Sequence, residues 1–194
     1  MTAENKQIVF LAGYSAVGKS ALAREMSDSW GYKLIEHQPL VHDIASSKGY
    51  ERARHWLAGV GVQQFADEST KEMVKRTKEA LDERGSKVIF DVTYGVKMLE
   101  LFQSEFPDIF RLVVSVLADD DTRAKNIQKR MGTNSTEEAE QELHFRDGFL
   151  LEIGVGEVIA QCDIEITNKD RHISEVASEL NSLIVQRIHN RTGS

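Results

Sequence analysis

Short apolar runs that alternate with amphipathic stretches predict an α/β fold, a three-layer sandwich of helix, parallel sheet and helix. Two observations carry this. Residues 8–12 (IVFLA), Lys87–Phe90 and Phe110–Leu117 (FRLVVSVL) are too continuously apolar for strands with a wet face, and a parallel sheet covered on both sides needs such runs. The intervening segments repeat apolar residues at intervals of three and four, the period of a helix.

In chain order, the run 8–12 is a first strand ending at Gly13, and residues 19–29 form a helix with Leu22 and Met26 on one face and Gly31 as its stop. Leu34 and Ile35 make a weak second strand. Residues 40–84 have helical spacing, with Met73, Val74, Thr77 and Leu81 in the last helix, which is expected to end at Gly85. Lys87–Phe90 runs straight into Asp91, and Leu99, Phe102 and Phe106 mark a helix closed by Pro107. Phe110–Leu117 is the most strand-like run because of its valines. A polar helix over 121–130, a turn over 131–136 and a helix into Gly148 follow. Ile164–Thr167 is a fifth strand, and residues 173–188 a last helix with Val176, Leu180, Leu183, Ile184 and Ile188 inward. Ligands in such sheets sit at the carboxyl ends of the strands, where Gly13 and Asp91 both fall.

Gly13, Tyr14, Ser15, Ala16, Val17, Gly18, Lys19 and Ser20 satisfy G-x-x-x-x-G-K-[ST] between a strand and a helix. By composition alone such a string arises in roughly one chain of this length in a hundred, and the required context makes chance rarer. Glycines at both ends let successive N–H groups point at one phosphate, and the helix amino terminus adds about half a positive charge. Lys19 would reach the β and γ phosphates of ATP, and the Ser20 hydroxyl would ligate Mg2+. Asp91, on a neighbouring strand end, is the expected second oxygen ligand to the Mg2+ shell. Glu36 and His37, after the second strand, are candidate bases. Arg123 and Arg130, seven apart on one helical face, and Arg146 on the next helix are candidate clamps for transferring phosphate.

The chain of 194 residues is long enough for one full core, read as a single domain over 1–194. With 24 basic and 31 acidic residues, a net charge of −7, it offers no footprint for non-specific nucleic-acid binding. The lone Cys162 precludes an intrachain disulfide and fits a reducing compartment. There is no apolar run long enough for a membrane span or secretion signal, so the expected location is cytoplasmic, as a monomer or homodimer. No histidine or cysteine spacing suits zinc.

Together these residues resemble the P-loop nucleotide and small-molecule kinases, the broad adenylate kinase and dephospho-coenzyme A kinase group. The resemblance spans most of the chain and rests first on residues 13–20. The region after Asp91, with Leu99, Glu100, Leu101, Phe102 and Pro107, adds to it, as do Arg146, Asp147, the run 154–159 (GVGEVI) and residues 163–168. It implies a P-loop NTPase fold whose five-stranded parallel sheet has the order 2-3-1-4-5, an acceptor-binding helical region over about 38–85 and a lid over about 119–150. It also implies nucleotide contacts from Gly13, Ser15, Ala16, Val17, Gly18, Lys19, Ser20 and Ala21, with adenine near Arg123 and Asn168. Lys19, Asp91, Arg130 and Arg146 would carry catalysis, and Ser20 and Asp91 the metal.

The chain departs from the group on the acceptor side. Where Asp-Gly-x-Arg is expected it reads Asp91, Val92, Thr93, Tyr94, and Asn126 stands where a lid arginine is common. Losing one guanidinium at a phosphate removes a contact worth on the order of 1.5 to 3 kcal/mol, enough to change acceptor preference. Arg52 and Arg54 are candidate replacements. The expected function is phosphoryl transfer from MgATP to a small, nucleotide-like acceptor, of nucleoside monophosphate or dephospho-coenzyme A type. The alternative is an ATP-binding regulator that transfers nothing efficiently. A GTPase switch is disfavoured, because Asp91 to Tyr94 lacks the glycine of D-x-x-G and Asn168, Lys169, Asp170 sets its acid one residue early for N-K-x-D.

Overall fold

Side chains alternate across a strand, so a strand apolar at every position must be covered twice. The computed structural model, which describes residues 6–81, 86–169 and 171–192, shows this directly in strand β1, Gln7–Ala12. Ile8 and Phe10 point into one core, while Val9 and Leu11 point into another. Strands β2 (Tyr32–Ile35), β3 (Lys87–Phe90), β4 (Phe110–Leu117) and β5 (Ile164–Thr167) complete a five-stranded sheet of order β2-β3-β1-β4-β5. Every neighbouring pair is parallel, with Phe10 beside Phe90 and Ala12 beside Ser115, so the carboxyl ends of the strands share one edge. The three-layer fold and its strand order are those expected from sequence.

One face is covered by α2 (His37–Ser47), α3 (Ala53–Val60), α4 (Val62–Ala80) and α5 (Gly95–Glu105). Phe102 of α5 meets Phe10 and Phe90 edge-on at centroid distances of 5.0 and 5.3 Å, the arrangement aromatic quadrupoles favour. The opposite face is covered by α1 (Lys19–Trp30) and α9 (Ile173–Thr192), through Leu22, Met26, Val176, Leu180 and Ile184. Helices α6 (Asp120–Met131) and α7 (Thr136–Glu152) form a third, small cluster in which Ile127, Ala139 and Leu143 pack against Ala16.

Several boundaries differ from the sequence expectation for local reasons. Where one helical stretch over 40–84 is expected, residues 37–80 hold three helices, broken at Gly49 and Gly61 with φ of 82° and 81°. Helix α4 ends at Ala80, and the expected stop at Gly85 lies outside the described residues. Helix α7 continues through Gly148 to Glu152, because Leu150 extends the inward stripe of Ala139 and Leu143 and an exposed helical glycine costs only about 1 kcal/mol. A further short helix, α8 (Val155–Ala160), buries Val155 and Val158. Among the described residues no helix is long and apolar enough to cross a membrane.

Candidate active site

The chain leaves β1 through Gly13 at φ 142°, where a side-chain Cβ would lie 2.5 Å from the Val116 carbonyl oxygen. Only glycine fits so close to backbone. Ala16 holds a positive φ of 64°, and Gly18 one of 101°, before α1 begins at Lys19. Three successive carbonyls of this loop are tied from outside. Arg123 Nε donates to Ser15 O at 3.0 Å, Asn126 Nδ2 to Ala16 O at 2.8 Å and Asn168 Nδ2 to Val17 O at 2.9 Å. Because a trans peptide sets its N–H opposite its C=O, fixing these oxygens outward aims the N–H groups of Ala16, Val17 and Gly18 the other way, as an anion cradle requires.

Lys19 Nζ donates to Gly13 O and Tyr14 O, each at 2.7 Å, which arches its side chain over the loop. Burial lowers its pKa from 10.5 to about 8, against the pull of Asp91 and with Arg130 adding to the fall. At neutral pH it keeps its proton but is short of negative charge. Ser20 Oγ donates to Asp91 Oδ2 at 2.8 Å, and the His37 main-chain N–H donates to Asp91 Oδ1 at 2.9 Å. A hydroxyl and a carboxylate in contact are the hard oxygen donors that Mg2+ takes alongside water and phosphate. Thr93 Oγ1 donates to Leu11 O at 3.1 Å and pins the end of β3 to β1.

Asp147 of α7, which the sequence marks only as part of the resemblance and gives no role, is a further partner of the loop. Its Oδ1 accepts from the Ser15 N–H at 2.9 Å, and its Oδ2 accepts from Arg123 Nη2. Arg123 also lies over the Tyr14 ring at 5.7 Å and pairs with Asp120 at 3.2 Å. Arg123, expected beside adenine, meets the loop and Asp147, and Asn168 buttresses the loop. Arg130 forms no salt bridge among the described residues, and its pKa falls through burial and the nearby Arg146 and Arg24, while Asp91 opposes the fall. Arg146 itself is bonded to Glu142 at 2.6 Å and is exposed, as is Ala21. Lys169 pairs with Asp119 at 2.9 Å, and Asp119 caps α6 through the Thr122 N–H.

No family model matches the chain. It is 24% identical over 186 residues to a UPF0200 protein of Thermococcus onnurineus, covering 89% of this chain and 97% of that one. A UPF0200 protein of Thermococcus sibiricus is 22% identical over 180 residues, with coverage of 91% and 93%. Among solved structures, a gluconokinase from Sinorhizobium meliloti superposes with a TM-score of 0.61 at 16% identity, over 97% of this chain and 96% of that one. A shikimate kinase from Aquifex aeolicus gives 0.56 at 13% identity, over 96% and 99%. The fold is that of the P-loop kinases.

In this P-loop kinase fold the donor-side candidates Gly13, Ser15, Ala16, Val17, Gly18, Lys19, Ser20 and Asp91 converge at one end of the sheet, with Arg123, Arg130 and Asn168 around them. The acceptor side differs from expectation. Tyr94, at the position of the missing arginine, is 3% exposed and packed among Phe65 and His37. Arg52 and Arg54 are exposed. Glu36 is bonded to Arg24 at 2.7 Å, whereas burial takes the His37 pKa down to about 4, so His37 is neutral at pH 7. Two open surface grooves, one along α4 at Gln63, Asp67 and Glu152 and one between α4 and Leu101, lie away from the phosphate loop.

Proposed function

We propose that the protein is a phosphotransferase that passes the γ-phosphoryl group of MgATP to a hydroxyl of a small acceptor, releasing ADP and a proton. One observation carries the reading most directly: Ser20 Oγ and Asp91 Oδ2 meet at 2.8 Å below a loop whose carbonyls are tied outward. Ser20 and Asp91 would hold Mg2+, which when bound offsets the charge on the β and γ phosphate oxygens. Gly13 and Ala16 to Ala21 would hold the triphosphate through main-chain N–H groups. Lys19 would exchange its two carbonyl acceptors for phosphate oxygens, whose negative charge would offset the burial that lowers its pKa. Arg130 and Arg146 would close on the transferring group from the lid. The gluconokinase and shikimate kinase named above, although similar in fold only, favour a hydroxyl acceptor.

The test is acceptor-dependent ADP release across alcohols, nucleosides, nucleoside monophosphates and dephospho-coenzyme A. Lys19→Ala should lower turnover by about a thousandfold or more, the scale of losing a charge from a preorganised site. Asp91→Asn should shift the Mg2+ titration to higher concentration. Unchanged turnover in the first variant, or superimposable metal titrations in the second, would reject the assignment. The alternative of an ATP-binding regulator is favoured if MgADP binds and no acceptor raises ADP release.

A further inference from the structure

Buried hydrogen-bonding groups almost always have partners, so a cluster of unpartnered ones calls for an explanation. Among the described residues, side-chain atoms of this kind are His37 Nε2, Trp56 Nε1, Ser69 Oγ, Tyr94 Oη and Ser115 Oγ. Four of these five lie together between the β3 end and helices α2, α3 and α4. Trp56 and Ser69 are 0% exposed, and Tyr94 is 3% exposed. The rings form a continuous wall: His37 to Tyr94 at 5.5 Å, Tyr94 to Phe65 at 6.2 Å and Phe65 to Trp56 at 4.5 Å. Ser69 is close enough to Tyr94 to act on its titration, yet the two hydroxyls do not meet hydrogen-bond geometry. The wall starts beside Asp91, which accepts from the His37 main-chain N–H and acts electrostatically on Tyr94.

We infer that His37, Trp56, Ser69 and Tyr94 form the acceptor subsite, and that it takes an uncharged ring compound bearing hydroxyl groups, such as a nucleoside or cyclitol, rather than a phosphomonoester. The inference deepens the kinase reading and rests on it. Phenol, hydroxyl, indole N–H and imidazole offer donors and acceptors suited to hydroxyl or amide groups, and the aromatic faces suit a flat ring. Nothing in this set carries a positive charge to offset that of a phosphate. The residue expected to be arginine is the buried Tyr94, Arg52 and Arg54 are exposed, and the arginines near Asp91 belong to α1 and the lid. These polar atoms are enclosed in the present arrangement, so an acceptor enters by parting α2 to α4 from the β3 end, and it repays the opening by supplying their missing hydrogen bonds.

The experiment uses the full chain with MgATP and matched pairs: adenosine and AMP, uridine and UMP, inositol and inositol phosphate. The expected result is that an unphosphorylated member raises ADP release at least about tenfold over its phosphorylated partner, the discrimination a site built on neutral hydrogen bonds provides. Tyr94→Phe should raise the KM for that acceptor by about tenfold, since one well-made hydrogen bond is lost, while the Kd for MgADP stays at the parent value. Without acceptor the same variant should melt higher than the parent, because it deletes a buried group that lacks a partner. Should it fail to fold, Ser69→Ala is read in the same way. Preference for the phosphorylated members, no preference, no stimulation by any member, an unchanged acceptor KM, or a lower ligand-free melting temperature each overturns the subsite. The kinase reading is scored separately by the melting shift that MgADP produces and Lys19→Ala removes. If that shift is absent the kinase reading falls, and if it is present while the pairs fail, only the acceptor assignment falls.

Discussion

Asp147 occupies a main-chain donor of the phosphate loop, the Ser15 N–H, and is itself 19% exposed beside an Arg123 that is 12% exposed. A carboxylate there does for the resting loop what a phosphate oxygen would do for a loaded one, satisfying a donor that would otherwise be buried. It also places negative charge where a triphosphate is proposed to arrive. Asp147→Asn keeps one oxygen for the Ser15 N–H but removes the second oxygen, which Arg123 uses, together with the charge, and loss of the charge is worth on the order of 1 kcal/mol at this depth. MgADP should therefore bind about fivefold more tightly to the variant, as read by calorimetry at fixed salt. Equal or weaker binding would mean that the charge of Asp147 serves the ligand by orienting Arg123. At this scale the sequence was legible where a motif dictates backbone geometry, as with Gly13, Lys19 and Ser20. It marked Asp147 only through the resemblance and gave it no role, because nothing local ties a carboxylate to a partner 132 residues away. Asn126 was noticed only as a departure from arginine, and its contact with Ala16 O shows that an amide can anchor the loop without adding charge.

Element ends set the site as much as side chains do. Helix α5 starts at Gly95, whose φ is 67° and whose hypothetical Cβ would stand 2.1 Å from the Ile153 carbonyl at the end of α7. This close approach ties the segment after Asp91 to the junction of α7 and α8, so the metal-ligand candidate and the far end of α7 share one joint. Gly95→Ala combines a strained backbone with a collision against main chain, and should destabilise by about 2 to 4 kcal/mol. Chemical denaturation checks it, and a loss below about 1 kcal/mol would show that the joint can relax. The length of α7 and the existence of α8 escaped sequence reading for related reasons. Glycine usually signals a helix end, yet Gly148 sits on an exposed face where helix packing through Leu150 outweighs its intrinsic cost. The strands were easier, since Phe110–Leu117 carries the apolar run of a covered strand and Ile164–Thr167 alternates buried isoleucines with exposed residues, the period of an edge strand.

At the scale of the molecule, the parallel sheet brings distant segments to one edge, and the proposed ligand would touch most of them. The loop after β1, Asp91 after β3, Arg123 and Arg130 from α6, Asp147 from α7 and Asn168 after β5 come together only in the native chain. The unfolded chain offers no such cradle, so a ligand of this site must stabilise the whole fold by mass action. With MgADP at a hundred times its Kd the gain is about 2.7 kcal/mol, a rise of roughly 5 to 10 °C in melting temperature for a domain of this size. Lys19→Ala at the same concentrations should show almost none of it, while its ligand-free melting temperature stays near that of the parent or rises, because the lost ammonium is one that burial disfavours. A full MgADP shift retained in Lys19→Ala would place nucleotide binding elsewhere on the molecule and remove the physical basis for the proposed phosphoryl transfer.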